Sequence, residues 1–165
     1  MNKIFVGIDN GTTGAIGIVS DDSNIVKWFP TPIKTELSYT KEKQNISRID
    51  FPKLIKLLSQ EVLSYGVPVR VVMERPRVNP GQFRTTMSAM RSLEATLIAL
   101  EELRIPFSYI DSKQWQKELL PSGLKGPELK SASKDIGKRL FPQVDFGKSD
   151  CDGILIAEFA RRHQL

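Results

Sequence analysis

Apolar positions along the chain follow two different periods, and these predict where strands and helices lie. Short runs rich in β-branched residues predict five strands, at residues 3–9, 15–19, 24–32, 67–74 and 105–110. The turn signal Asn10-Gly11 after the first run favours an antiparallel hairpin between the first two strands. The run VPVRVVME is the most apolar of the chain and indicates a buried central strand that ends at Glu74.

Apolar residues with a helical period fill most of the remaining chain. The predicted helices are one from residue 49, one from Thr85 or Thr86, and three at 113–120, at 127–141 and from near Asp150. The polar stretch 34–47 has no clear period and predicts a loop or flap. Three strands joined by tight turns, followed by strands alternating with helices, predict an α/β fold. We expect a five-stranded mixed sheet flanked by helices, in one domain spanning residues 1–165.

Composition and charge narrow the class of protein. The chain has 165 residues, of which 40% are hydrophobic and 26% charged, as is usual for a globular domain. Its net charge of +5 favours a polyanionic partner such as nucleic acid. The single cysteine, Cys151, excludes an internal disulfide and favours a reducing compartment. No apolar run approaches the about 20 residues of a membrane span, so we expect a cytoplasmic protein without a membrane partner.

Four acidic residues stand at the ends of predicted elements. Asp9 closes the first strand, Glu74 closes the fourth, and Asp150 and Asp152 precede the apolar face of the last helix. Each acid alone fits a turn or a helix cap, and that structural interpretation stays open. If the two strands are neighbours, the acids converge and repel one another unless cations lie between them. Oxygen ligands suit Mg²⁺, so we predict two Mg²⁺ ions, with Mn²⁺ as a possible substitute, acting on a phosphodiester.

Three motifs carry a resemblance to a known family. In their order and spacing, GIDNGTTGAIGIV, VVMERP and KSDCDGILIAE resemble RuvC-type Holliday junction resolvases of the RNase H-like superfamily, and most closely their phage-borne branch. The segments KQWQKELLP and KRLFP also look typical of that branch. The resemblance implies an RNase H-like fold, a homodimer and magnesium-dependent nicking of opposing strands at a four-way DNA junction. For a phage-borne enzyme, the location is the bacterial host cytosol.

The resemblance assigns the site acids position by position. Asp9, Glu74 and Asp152 match the family's acids of the first strand, the fourth strand and the last helix. In the bacterial enzymes the two late acids lie three residues apart, whereas here that position is Ser149 and the nearest acid is Asp150. Residues two apart do not share a helical face. Asp150 therefore reaches the metals only if it lies in the loop before the helix.

Basic residues supply candidate DNA contacts. The loop after Glu74 offers Arg75, Arg77 and Arg84 for phosphates and Phe83 for stacking on a base. Further candidates are basic residues on and around the penultimate helix, namely Lys125, Lys130, Lys134, Lys138 and Lys148. A solvated loop and a solvated helix face are the competing interpretations, and the sequence leaves them open.

Other functions and the assembly state also stay open. The motif GIDNGTTGAIGIV also resembles the phosphate loop of sugar kinases and actin-like ATPases, although 165 residues supply only one of the two lobes that such ATPases need. An RNase H-like nuclease acting on RNA–DNA hybrids or on other branched DNA also stays open, because the Glu-Arg-Pro segment and the basic residues do not exclude it. For the homodimer, we expect surplus apolar residues of the helix from Thr86 to Leu103 to form the contact. Trp28 and Trp115 are expected in the core or at a hinge.

Overall fold

The computed structural model describes residues 2–39 and 41–165. The strands in the described residues are β1 (Ile4–Ile8), β2 (Ala15–Ser20), β3 (Val26–Pro30), β4 (Ile33–Leu37), β5 (Asn45–Ile49), β6 (Val69–Glu74) and β7 (Phe107–Ile110). The main sheet has five of these strands in the order β3-β2-β1-β6-β7, which confirms the predicted five-stranded mixed sheet. Strands β1 and β2 form the predicted antiparallel hairpin.

The centre of the sheet is a pair of parallel strands, β1 and β6. Val6 lies opposite Val71 and Ile8 opposite Met73, while β7 continues the sheet in parallel beyond β6. All five residues of β1 are buried, because helices cover both faces of the sheet. Since parallel strands end at the same edge, the residues that follow Ile8 and Met73 come side by side.

Five helices flank the sheet: α1 (Phe51–Glu61), α2 (Phe83–Glu102), α3 (Ser112–Leu119), α4 (Gly126–Leu140) and α5 (Asp152–His163). Residues of α1 and α2 pack with Ile4, Val6 and Ile8 on one face. Residues of α3, α4 and α5 pack with Phe5 and Val72 on the other face. Within residues 2–39 and 41–165, none of these helices has the length and apolar character that a membrane span requires.

Glycines let α5 lie directly on the sheet. Gly7 and Gly17 are paired across β1 and β2, and a Cβ atom on either would overlap the backbone of α5. On the helix side, a Cβ atom on Gly153 would overlap the Ala15 carbonyl of β2. Such close approach is possible only where both surfaces lack side chains. It holds Asp152, the residue before Gly153, next to the end of β1.

One predicted loop is wrong. Within the stretch 34–47, the structure contains most of β4 and β5, which pair antiparallel as a separate hairpin with Thr35 opposite Ser47. Both faces of this hairpin are largely exposed, so its side chains have no reason to alternate between apolar and polar. An ion pair between Arg48 and Glu36 joins its strands. The predicted loop also included Thr40, which lies outside the described residues.

Helix boundaries also differ in part from the predictions. The first helix begins at Phe51, because Ile49 is still in β5 and Asp50 caps the helix by accepting from the Lys53 amide. Helix α2 begins at Phe83, earlier than the predicted Thr85 or Thr86. Helix α3 begins at Ser112, with a capping box between Asp111 and Gln114, and α4 begins at Gly126, with Pro127 in its first turn.

Candidate metal centre and nucleic-acid interface

Two of the four acids lie at the ends of the central parallel strands. Glu74 is the last residue of β6, and Asp9 directly follows β1, whose Ile8 is opposite Met73. The Asp9 amide donates to the Ala15 carbonyl at 3.0 Å, which ties the residue to the start of β2. The predicted adjacency of these two strands is thus present, and it places both carboxylates at one edge of the sheet.

The two late acids occupy different structural positions. Asp152 is the first residue of α5, Cys151 occupies the N-cap position, and Asp150 precedes the helix. The Asp152 amide donates to Asp150 Oδ1 at 3.4 Å. Asp150 therefore lies in the loop before the helix, which is the condition under which the sequence predicts that it reaches the metals. The rule that residues two apart do not share a helical face does not apply to it.

Three carboxylates form a compact group. One oxygen each from Asp9, Asp150 and Asp152 lies within 4.8 Å of the other two. Glu74 is not a member of this group, but it lines the same cavity of about 360 Å³ as Asp9 and Asp152. The structure therefore brings all four predicted acids to one region, with three of them close enough to share one cation.

Two buried side chains orient these acids. The Trp115 indole Nε1 donates to Glu74 Oε2 at 2.8 Å, and the Ser133 hydroxyl donates to Asp152 Oδ1. Trp115 and Ser133 are both almost fully buried, on α3 and α4. The sequence interpretation placed Trp115 in the core, which is correct, but it missed the contact to Glu74. Nothing in the sequence pattern marks Ser133.

The acids destabilise one another in their charged forms. Burial, and then repulsion from Asp152, Asp150 and Glu74, raise the pKa of Asp9 well above its ordinary value. Burial, together with repulsion from Asp150, raises the pKa of Asp152 to about 6, although the Ser133 hydrogen bond opposes the shift. Burial also raises the pKa of Glu74 and of Asp150.

The chemistry of these four carboxylates shows whether the centre suits a cation. The donors are all carboxylate oxygens, which suit hard divalent cations better than softer metals. Burial is the first cause of the raised pKa values of all four acids, and repulsion adds to it for Asp9, Glu74 and Asp152. A cation between the carboxylates stabilises their charged forms and so opposes both effects. The residues present therefore fit a divalent metal ion.

The predicted basic contacts fall into different places. Lys130 lines the cavity of the acids, and its charge lowers the pKa values of Asp9, Asp150 and Asp152. The charge of Lys134 also lowers the pKa of Asp150. The side chains of Lys125, Lys138 and Lys148 are exposed. Of these candidates, Lys130 is thus the one that lines the cavity of the acids.

The loop after Glu74 and the start of α2 line two different cavities. Arg75 and Arg77 line the cavity of the acids, where Arg75 also pairs with Asp111 at 3.3 Å. Phe83 and Arg84 instead line a separate cavity between α2 and the β4–β5 hairpin. The sequence interpretation placed all four near one site, because it did not foresee the hairpin.

Comparisons with solved structures support the fold. The chain matches a structure described as T. thermophilus RuvC in complex with Holliday junction substrate, with a TM-score of 0.58, 16% identity, and coverage of 99% of this chain and 96% of that chain. It also matches a Thermus thermophilus RuvC structure, with a TM-score of 0.52, 17% identity, and coverage of 99% and 97%. No protein-family model and no curated protein matches the chain. At these identities the likeness establishes an RNase H-like fold.

Proposed function

We propose that the chain is a metal-dependent, structure-selective endonuclease that nicks opposing strands of four-way DNA junctions. The observation that carries the proposal is the grouping of Asp9, Asp150 and Asp152 at the end of the central strands. The fold adds support, since a protein with the same fold has been described in complex with a Holliday junction substrate. The net charge of +5 suits a DNA substrate.

In this proposal Asp9, Asp150, Asp152 and Glu74 hold two Mg²⁺ ions, for which Mn²⁺ can substitute. When bound, such ions activate a water for attack on a phosphodiester and stabilise the leaving oxygen. Trp115 and Ser133 keep two of the carboxylates in fixed orientations. Fixed ligands matter because small displacements of reacting groups cost large factors in rate.

Basic residues hold the DNA arms. Lys130 is beside the carboxylates and contacts the phosphate nearest the cut, while Lys134 and Lys138 continue the same helix at intervals of four residues. Lys125, at the N-cap position of α4, and Lys148, in the loop before α5, contact further phosphates, and so do Arg75 and Arg77, which line the cavity of the acids. Junction binding then weakens steeply as salt rises, because each phosphate contact releases counterions.

Nicking two opposing strands requires two active sites, so we propose a homodimer. Helix α2 has three large apolar side chains that stay exposed, Phe83 at 71%, Met87 at 36% and Ile98 at 46%. Phe83 and Met87 line the cavity between the start of α2 and the hairpin, whereas Ile98 lies farther along α2 and lines a separate groove against the hairpin. Light scattering should show a dimer, and Ile98→Asp should shift it towards the monomer. A native protein that stays monomeric at every concentration contradicts this part of the proposal.

The substrate class is tested by a cleavage panel. End-labelled four-way DNA junction, linear duplex and RNA–DNA hybrid are incubated with the protein in Mg²⁺. Paired, symmetric nicks in the junction, with the duplex intact, are the expected result. Cutting of the hybrid alone would move the protein to the ribonucleases, and ATP binding in calorimetry would favour the ATPase alternative instead.

A further inference from the structure

A second cavity lies outside the acidic centre, between the β4–β5 hairpin and the first turns of α2. Its volume is about 650 Å³, which is within the usual range for ligand sites. Its walls come from the hairpin, from α2 and from the turn after β1; the lining residues used below are Thr12, Tyr39, Lys41, Phe83, Arg84 and Arg91. We call it the hairpin cleft.

Aromatic surface is exposed at the hairpin cleft. Tyr39, from the hairpin, is 85% exposed, and Phe83, from the start of α2, is 71% exposed. Both rings line the cleft, so it is bordered by aromatic side chains from two different elements. Every nucleic-acid base has a π face that can stack on such rings without sequence preference.

Positive charge accompanies the rings. Lys41, Arg84 and Arg91 line the cleft together with a single acid, Glu42, among the described lining residues. Over the described part of the chain, neither Arg84 nor Arg91 forms an ion pair. Guanidinium groups match phosphate geometry through two parallel hydrogen bonds. The cleft thus combines ring surface for a base with cations for the adjoining phosphates.

The hairpin cleft is next to the acidic centre. On α2, Thr85 and Ala89 line the cavity of the acids, while Ser88 lines the cleft. In the turn after β1, Asn10 lines the cavity of the acids and Thr12 lines the cleft. A DNA strand that leaves the acidic centre across the start of α2 therefore comes directly to the cleft.

We propose that the hairpin cleft binds an unpaired nucleotide of the DNA strand that flanks the cut. This inference rests on the proposed nuclease function, which it deepens by assigning a second site on the substrate. The base stacks against Tyr39 and Phe83, and Arg84 and Arg91 bind the phosphates on either side. Paired bases in a duplex are not free to enter, so the cleft favours substrates with unpaired nucleotides, such as the crossover of a junction.

The test measures binding in EDTA, where no cutting occurs. The probes are a fluorescein-labelled single-stranded oligo(dT) and a duplex of the same length, followed by fluorescence anisotropy. Tyr39→Ala should weaken binding of the single strand by about tenfold or more, because one stacked base is lost. Tyr39→Phe is the matched control, since it keeps the ring and should bind like the native protein. Duplex binding should change by less than about twofold in both variants.

A second pair of variants tests the phosphate contacts. Arg91→Gln should lower affinity for the single strand and reduce the slope of log affinity against log salt by about 0.7, the value for one phosphate contact on a single strand. The control is Arg70→Gln, which removes an exposed arginine of β6 that does not line the cleft. This control should keep the native slope.

Two results would overturn the inference. One is single-strand binding by Tyr39→Ala that equals the native binding. The other is conversion of a dimer to a monomer by Tyr39→Ala in light scattering, which would make the cleft a contact between two copies of the chain. Failure of the nuclease proposal is seen separately, as an uncut junction in Mg²⁺, because the anisotropy measurement requires no cleavage.

Discussion

Replacing Gly17 by alanine perturbs the contact between α5 and the sheet. The new Cβ atom would lie 2.5 Å from the Ile154 amide nitrogen and 2.7 Å from the Gly153 carbonyl carbon, and closer still to the Ile154 Cα. Ordinary contacts begin at 3.4 Å, so the helix has to withdraw by roughly 1 Å before a methyl group fits. The obstructing atoms are backbone, which cannot rotate away as a side chain would.

The expected cost follows from this overlap. Overpacking of a core costs about 1–3 kcal/mol, and a backbone obstacle favours the upper end. For a chain of this size, about 3 kcal/mol lowers Tm by roughly 6–12 °C. The same displacement moves Asp152 away from Asp9, and a misplacement of about 1 Å can lower a rate about a hundredfold. Gly17→Ala should therefore lose junction cleavage even at temperatures at which it is fully folded.

Thermal unfolding followed by circular dichroism, together with junction cleavage well below Tm, measures both effects. The control is Gly81→Ala, because a Cβ atom there meets only Asn79 Oδ1, at 3.4 Å. It should unfold within about 2 °C of the native protein. If Gly17→Ala also unfolds within that range and cleaves at the native rate, α5 does not lie on the sheet as the glycines indicate.

Three further predictions concern the site and the stability of α5. Trp115→Phe should reduce cleavage by about tenfold, because Glu74 loses the hydrogen bond that orients it. Asp152→Asn should raise the Tm of the EDTA-treated protein by about 2–8 °C, since it removes a buried charge that is also repelled by Asp150. Burial raises the pKa of Glu158, but hydrogen bonds from two arginines outweigh burial and hold that pKa below its ordinary value. Glu158→Gln should therefore lower Tm at neutral pH by about 2–8 °C.

Each of these predictions has its own control. Trp28→Phe is matched to Trp115→Phe, because the Trp28 indole N–H has no partner among the described residues, and it should cleave at the native rate. Mg²⁺ should raise the Tm of the native protein by more than that of Asp152→Asn, and equal increases would argue against a metal at this residue.

The control for Glu158→Gln is the pH dependence of its effect. A carboxylate whose pKa is lowered in the folded state stabilises the fold at a pH above its pKa in the unfolded state, which is about 4.3 for Glu. This stabilisation is lost as the pH falls through the pKa of the folded state. The Tm difference between Glu158→Gln and the native protein should therefore shrink below about pH 4. A difference that stays constant into acid would show that the ion pairs are not its cause.

The sequence predicted the main sheet well because its strands have strong signals. Buried runs such as 67–74 are apolar over their whole length, and Asn10-Gly11 marks the first turn. These signals led to the expectation that the strands ending near Asp9 and Glu74 are neighbours, and in the structure they pair in parallel. The predicted fold class is confirmed for the same reason.

The missed features depend on tertiary contacts. The β4–β5 hairpin is stabilised by strand pairing and surface ion pairs rather than by a buried face, so no apolar period marks it. The hydrogen bonds of Trp115 and Ser133 to the acids join helices α3 and α4 to residues far away in the chain. No local pattern predicts such pairings. The place of Asp150 was predicted only conditionally, because the start of α5 decides it.

The central claim is that the acidic centre cuts DNA junctions, and one measurement tests it most directly. An end-labelled four-way junction is incubated with the native protein and with Asp9→Asn, in Mg²⁺ and in EDTA, while junction binding is followed in parallel. The account predicts paired nicks by the native protein in Mg²⁺ only, and undiminished binding without nicks by Asp9→Asn. Nicking by Asp9→Asn at the native rate, or by the native protein in EDTA, would contradict it.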